Sequence, residues 1–206
     1  MAKVKLTKGE LKRQRDALRQ YRRYLPTLQL KKQQLQMEIL HHHELLVEKK
    51  KQESLKRNSL EGWVGLLASD NYIDVKPWIR TSEAVIKYRN IAGVDLPVFE
   101  RLEFKGADYD LFSSPLWMDA GLEALRSLVS LIEEISILQR SMDILSRELR
   151  ITTQRVNLFE KVKIPEAEEA IRLIKVFIGD QMANAVGRSK IAKRKIEESV
   201  LEGIAA

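Results

Sequence analysis

His41, His42 and His43 form a run of three imidazole side chains, the residue type in this chain that most directly suggests metal binding. Consecutive residues of a helix point about 100° apart, so three neighbouring rings cannot converge on one ion. We therefore interpret the run as a polar band on a helix, and we predict no metal site.

The remaining reactive side chains also lack the spacing that catalysis requires. The glycines fit neither a phosphate-binding loop nor a dinucleotide-binding motif. Ser127, Ser130 and Ser136 have no histidine or other base nearby in the sequence, and Glu133-Glu134 fits a solvated helix face. The sequence thus predicts a non-catalytic protein without a bound cofactor.

Composition favours long helices over a compact mixed fold. Hydrophobic residues make up 44% and charged residues 32% of the 206 residues, with only 9 Gly and 5 Pro. The absence of Cys excludes disulfides and thiolate metal sites and suits a reducing cytosol. The net charge of +7 permits binding to nucleic acid, an anionic membrane or an acidic protein. No apolar run approaches the ~20 residues of a membrane span, and the N-terminus lacks the apolar core of a signal peptide.

Between Leu125 and Phe159, apolar residues recur at coiled-coil spacing for about five heptads, without Gly or Pro. Such a seam must face a partner helix along its whole length. After Phe159 the apolar spacing changes, and Pro165 is the expected kink. The predicted seam residues are Leu128, Leu131, Ile135, Leu138, Met142, Leu145, Leu149, Val156 and Phe159.

A first helix is predicted from Thr7 to about residue 68. Thr7 and Glu10 have the spacing of a capping box. The heptads weaken through the basic run Glu48–Lys51, and Pro26 should kink the helix or restart it. The seam residues predicted for this helix are Leu11, Leu18, Leu25, Leu28, Leu35, Ile39 and Leu46.

The segment 69–116 differs in composition from the helices and is predicted to be an insert with a small β-hairpin. It begins with the helix breakers Ser69, Asp70 and Asn71. Residues 85–91 and 96–104 have the composition of strands, joined by a turn at 92–95. A lone hairpin is marginal in water, so we expect it to lean on the helices or on a partner.

These segments predict a mostly α-helical protein: a long antiparallel two-helix coiled coil with the hairpin insert between its helices. The predicted domains are 1–68, 69–116 and 117–206. Antiparallel pairing would bring both termini to one end of a stiff rod and make that end a basic tip. The residues predicted for this basic tip are Lys12, Arg13, Arg15, Arg188, Lys193, Arg194 and Lys195.

Several motifs resemble the D subunit of the V-type (vacuolar and archaeal) rotary ATPases. Residues 6–11 (LTKGEL) and 30–35 (LKKQQL) are similar to that family's first helix. Residues 153–160 (TQRVNLFE), followed by Ile-Pro, resemble a pattern in its last helix, and the order of helix, hairpin insert and helix also agrees. The matching motif residues are Arg155, Val156, Asn157, Leu158, Ile164 and Pro165.

The resemblance implies a non-catalytic central rotor shaft that transmits torque between a catalytic hexamer and an ion-translocating membrane ring. The implied partners are the catalytic and non-catalytic nucleotide-binding subunits (A and B), the small F subunit, and the funnel subunit (d or C) above the ring. It also implies a cytoplasmic protein peripheral to the membrane, inserting termini first into the bore of the hexamer.

Two alternatives from other classes remain at this stage. A dimerising scaffold would self-associate through the seam between Leu128 and Phe159, and a basic helical nucleic-acid-binding protein would show salt-sensitive binding. We favour the rotor interpretation, with no nucleic-acid partner and no membrane insertion. The sequence leaves open the transported ion, the direction of the motor, the role of the hairpin, and the register of the first helix near Pro26 and Lys49.

Overall fold

A computed structural model describes residues 5–62, 65, 75–110 and 114–204 of the chain. The elements in chain order are α1 (Lys8–Glu61), α2 (Lys76–Ile79), β1 (Thr81–Ile91), β2 (Val94–Phe104), α3 (Met118–Leu158), one π-helical turn (Phe159–Lys163) and α4 (Ile164–Ile204). The fold is therefore mostly α-helical with a two-stranded insert. The predicted breakers Ser69, Asp70 and Asn71 lie outside the described residues.

The chain divides into two compact units. We call Lys31–Thr152 the hairpin unit, and Met1–Leu30 together with Thr153–Ala206 the helix-end unit. The first contains the insert, and the second contains the beginning of α1 and all of α4.

Helix α1 begins at its predicted cap, because the Glu10 amide donates a hydrogen bond to Thr7 Oγ1 over 3.3 Å. The helix then continues for 54 residues to Glu61 and includes Pro26. Helical structure thus survives the basic run Glu48–Lys51, where the heptad pattern weakens.

The hairpin is longer and tighter than predicted, with two strands of 11 residues joined through Ala92 and Gly93. Both turn residues have positive φ, 52° and 75°, as a type I′ turn requires. The Asn90 side chain supports the turn by accepting a hydrogen bond from the Gly93 amide and donating one to Asp95. This tight turn allows pairing to extend to Val94, where the sequence predicted part of a four-residue turn.

The hairpin packs on the two helices of its unit. Val94 and Leu96 form a buried cluster with Leu35 of α1 and Leu145 of α3. Ser141 on α3 donates a 2.7 Å hydrogen bond to the Pro97 carbonyl on β2. Burial of these side chains supplies the stabilisation that a hairpin lacks in water.

Contacts inside the hairpin unit show that α1 and α3 are antiparallel. Leu35 shares its buried cluster with Leu145, whereas Lys49, further along α1, forms an ion pair with Glu134, which precedes Leu145 on α3. Rising residue number on one helix therefore matches falling number on the other. This is the predicted antiparallel coiled-coil arrangement.

A π-helical turn lies just before Pro165, the residue at which the sequence predicts a kink. At the end of the turn, the Ile164 amide donates to the carbonyl of Phe159, five residues earlier. Pro165 cannot donate a backbone hydrogen bond, and its ring crowds the preceding turn of a regular helix. The wider π turn accommodates this proline, and α4 continues beyond it.

Candidate functional site

The residues of the predicted seam are all at least half-buried. Leu35 and Leu145 are fully buried, and Leu46, Leu131, Ile135 and Val156 are also buried. The other ten are half-buried: Leu11, Leu18, Leu25, Leu28, Ile39, Leu128, Leu138, Met142, Leu149 and Phe159. Most of the apolar side of each helix is thus withdrawn from water, as coiled-coil pairing requires.

Polar residues occupy the seam where the heptads weaken. Lys49 Nζ lies 2.8 Å from Glu134 Oε1 on α3, and both side chains are partly shielded from solvent. His42 is buried, with its Nδ1 3.0 Å from the Glu38 carbonyl one turn earlier. The helices therefore remain paired through this stretch by a cross-helix ion pair and not by apolar contact alone.

The histidine run does not converge, because His42 is buried whereas His41 and His43 are exposed. His41 and His42 line a groove of about 220 Å³ between α1, α3 and the hairpin. Within the described part of the chain, no group of three histidine, aspartate or glutamate side chains could hold a metal ion.

Arg126 on α3 holds both ends of the hairpin. Its Nε donates to the Trp78 carbonyl before β1 over 3.2 Å, and its Nη2 donates to the Lys105 carbonyl after β2 over 2.7 Å. The guanidinium also lies 5.3 Å from the centre of the Phe104 ring. This residue was not predicted from the sequence, since an isolated arginine on a helix has no local signature.

Hydrogen bonding in two side-chain pairs at the surface shifts the pKa of their groups. The hydrogen bonds from Arg172 lower the pKa of the Glu169 carboxyl, while the same contact raises the pKa of Arg172. Tyr109 donates to the Asp119 carboxylate, and this bond raises the pKa of the Tyr109 hydroxyl. Both pairs are solvent-accessible, and neither adjoins a nucleophile or a second base that would indicate acid–base catalysis.

Burial along α4 stops abruptly. Ala167, Ala170, Ile171 and Ile174 are buried, and Ile178 is half-buried. From 179 to 200 every residue is exposed. This part of α4 is a helical end whose side chains contact solvent on all sides.

The exposed end of α4, residues 179–200, carries an apolar stripe. Met182, Val186, Ile196 and Val200 are all more than half exposed. Helical geometry places these four side chains on one face, because their spacing departs little from whole turns. Exposed apolar groups on one face of a helix are typical of a protein contact.

The predicted basic tip consists entirely of exposed side chains, but part of its charge is neutralised locally. Arg194 pairs with Glu198 over 2.8 Å, and Lys193 lies 3.7 Å from Glu197. On α1, Arg13 lies 3.8 Å from Glu10. Among the described residues, each ion pair made by a basic-tip residue stays within its own helix. The arginines and lysines of the tip are Lys12, Arg13, Arg15, Arg188, Lys193, Arg194 and Lys195.

A second apolar stripe, missed by the sequence analysis, lies on the outer face of α1. Met37 is 71% exposed and Leu40 is 65% exposed, and Val47 and Leu55 share their side of the helix. The side chains of Leu35 and Leu46 point to the opposite side, into the core. The spacing of Met37, Leu40 and Val47 follows a heptad pattern, which is the signal that could have revealed this stripe.

The family-like motif has residues on both the buried and the exposed side of the helix. Val156 is buried, whereas Arg155, Asn157 and Leu158 are exposed. Ile164 is half-buried and Pro165 is exposed. The motif therefore combines one core residue with an outward surface beside the π turn.

The chain matches the family model for the ATP synthase D subunit over residues 10–194. It is 44% identical over 197 residues to the V-type ATP synthase D subunit of Borreliella burgdorferi, covering 95% of this chain and 96% of the relative. It is 33% identical to the protein of the same name from Chlamydia pneumoniae, covering 94% of this chain and 93% of the relative. The protein of that name from Chlamydia trachomatis serovar L2 is 31% identical, with 96% and 98% covered.

Among the described residues, no helix combines the length and apolar character needed to cross a bilayer. The family match covers almost the whole chain and agrees with the order of helix, hairpin insert and helix. The chain therefore belongs to the D-subunit family of V-type ATP synthases and is one component of that multi-subunit complex.

Proposed function

We propose that this chain is the non-catalytic central shaft of the rotary complex and transmits torque between the catalytic hexamer and the membrane ring. The observation that supports this role is the change in burial along the helices. A braced pair with an apolar seam gives way to a single helical end, residues 179–200, whose side chains are all exposed.

Torque transmission requires a long element that resists bending and twisting. In the hairpin unit, α1 and α3 brace each other through Leu35, Leu145 and the Lys49–Glu134 ion pair. Each helix is held by its neighbour at every turn of such a seam, which makes a pair stiffer than a lone helix. The hairpin also packs against both helices and so adds to this bracing.

The exposed end of α4 is proposed to enter the bore formed by the nucleotide-binding A and B subunits. Its stripe of Met182, Val186, Ile196 and Val200 would provide apolar contact. The surrounding basic residues can interact with acidic groups of the sleeve without a fixed pairing, because screened electrostatic attraction varies smoothly with angle. Such a contact can hold the helix in the bore while it turns.

The outer stripe of α1, formed by Met37, Leu40, Val47 and Leu55, is proposed to bind the small F subunit on the side of the shaft. The end of α1 near Glu61 would rest on the funnel subunit above the membrane ring. These assignments make the chain a cytoplasmic, membrane-peripheral component without nucleic-acid or lipid contacts of its own.

Reconstitution tests the proposal directly. The purified chain is mixed with the A, B and F subunits, and complexes are separated by size exclusion and weighed by native mass spectrometry. We expect one copy of this chain per complex of three A and three B subunits. A chain that elutes alone as a homodimer in the presence of all partners would refute the shaft role and favour the dimerising scaffold.

A charge variant sharpens the test of the bore contact. Neutralising Lys12, Arg13, Arg15, Lys193, Arg194 and Lys195 to Gln should weaken assembly and lower coupled ATPase activity. The matched control neutralises the same number of exposed cations outside the basic tip, including Lys50, Lys51 and Lys56. Equal activity of the two variants would contradict an electrostatic role for the basic tip.

A further inference from the structure

We infer that the helix-end unit contains a bending joint, in which both helices are interrupted at nearly the same level. Its parts are Pro26 in α1 and the π turn Phe159–Lys163 between α3 and α4. Both lie in the helix-end unit, within about ten residues of the points where the chain passes into the hairpin unit.

The α1 side of the joint lacks one backbone hydrogen bond. Pro26 has no amide hydrogen, so the Arg22 carbonyl loses the donor that position 26 supplies in a regular helix. Thr27 Oγ1 instead donates a 2.8 Å hydrogen bond to the neighbouring Tyr24 carbonyl. Side-chain bonds of this kind often accompany bent helices, because they draw a carbonyl away from the axis.

The opposite side of the joint is weakened by a different device. In the π turn the Ile164 amide bonds to the Phe159 carbonyl, so the ladder skips one residue. Pro165 follows at once and supplies no donor to the widened turn. Two successive departures from regular helical bonding therefore fall within about one and a half turns.

Side-chain contacts hold the two interruptions together. The Tyr21 and Phe159 rings lie 5.3 Å apart between centroids, and Arg22 Nη2 lies 2.6 Å from Glu168 Oε1. Pro26 is five residues from Tyr21, so it lies about 8 Å along the axis from the level of Phe159. Bending at this place changes backbone angles in both helices while the Tyr21–Phe159 contact keeps them paired.

The joint is a property of the chain itself, and its test does not depend on the rotor role. In a rotating shaft, a joint at this level would store and release part of the torque elastically. A helical pair in which only one helix is interrupted would resist bending more strongly, because the second helix would be intact.

Hydrogen exchange on the full chain gives the first test. We expect the amides of residues 159–164 and 22–28 to exchange at least about tenfold faster than those of the uninterrupted α3 seam. Pro165→Ala should slow exchange in the first segment, and Pro26→Ala should slow it in the second. Gln154→Ala, at an exposed position on the same helix, is the matched control and should leave both unchanged.

Distances between pairs of spin labels provide a second measurement. A change in amide exchange without bending would not alter these distances. The chain has no native cysteine, so spin labels can be placed at Gln154→Cys and Lys175→Cys, on either side of the π turn. Labels at Glu123→Cys and Asp143→Cys span a similar number of residues of continuous α3. We expect a broader distance distribution for the first pair, narrowed by Pro165→Ala. Equal widths for the two pairs, or exchange as slow as in the α3 seam, would overturn the joint.

Discussion

The buried centre of the hairpin unit and the exposed end of α4 are built from the same residue types but differ in what surrounds them. Leu35 is fully buried between α3 and the hairpin, whereas Ile196 is 62% exposed. Both belong to apolar stripes at helical spacing. The difference shows that spacing makes a helix amphipathic, while an available partner decides whether its apolar face stabilises the fold or remains open for binding.

The largest effect is expected from removing a core side chain. Leu35→Ala should lower the free energy of unfolding by about 3 kcal/mol, because it leaves a cavity among Val94, Leu96 and Leu145. Urea unfolding followed by circular dichroism measures this change. Leu40→Ala, five residues along the same helix and largely exposed, is the control and should change stability by less than about 0.5 kcal/mol. Equal losses would contradict the division of α1 into a core face and an open face.

For the exposed end of α4, we expect substitutions to weaken binding and to leave stability unchanged. Val186→Asp with Ile196→Asp should leave the unfolding free energy nearly unchanged, because both side chains already contact water. Binding to the hexamer of A and B subunits should weaken at least about tenfold, or about 1.4 kcal/mol, measured by titrating labelled chain. Ile191→Asp, at an equally exposed apolar residue on the other face of this segment, is the comparison variant. If the double variant bound as tightly as the natural chain, the stripe would not be part of the interface.

An intermediate effect is expected where the hairpin meets α3. Arg126→Gln should cost about 1–2 kcal/mol, because the Trp78 and Lys105 carbonyls lose their charged donor. Arg126→Lys retains the charge but not the two-pronged geometry, so it should recover only part of this stability. Thermal unfolding ranks the three proteins, and hydrogen exchange in β2 shows whether the loss is local. Identical melting of all three would mean that apolar packing alone holds the hairpin.

The smallest effect is expected from the exposed Glu169–Arg172 pair. Arg172 holds the pKa of Glu169 below its ordinary value of 4.5, so folding favours the ionised carboxylate. Its contribution is present above pH 4.5 and is lost as the pH falls through the lower pKa of the folded chain. The stability difference between the natural chain and Glu169→Gln should therefore shrink between about pH 6 and about pH 3, as urea unfolding at each pH can show. A difference independent of pH would exclude the ion pair as its source.

Much of the architecture was predictable because it depends on local repeats. The steps of three and four from Leu128 to Phe159 predicted a helix with a partnered face, and the seam residues along it are at least half-buried. The strand composition after Val85 predicted the hairpin, but its turn was placed too broadly. Ala92 adopts a positive φ that its residue type disfavours, so the tight turn was not visible in the composition.

The parts that escaped prediction depend on contacts between distant residues. Arg126 reaches two carbonyls that are 27 residues apart in sequence, at Trp78 and Lys105, and no local pattern marks such a contact. Lys49 interrupts the heptads on its own helix, and only the position of Glu134 on α3 shows why the interruption is tolerated. The outer stripe of α1 was visible in the spacing of Met37, Leu40 and Val47, but the stronger seam on the opposite side of the helix dominated the pattern.

The sequence by itself determined that this chain forms two long amphipathic helices with a strand-bearing insert, because hydrophobic periodicity and backbone propensity act over a few residues. Its motifs between Thr153 and Pro165 also indicated the family. Only the tertiary structure decided that burial ends near Ile178 and that Arg126 anchors the hairpin. These outcomes depend on which groups meet across space, and such meetings are set by the packing of whole elements.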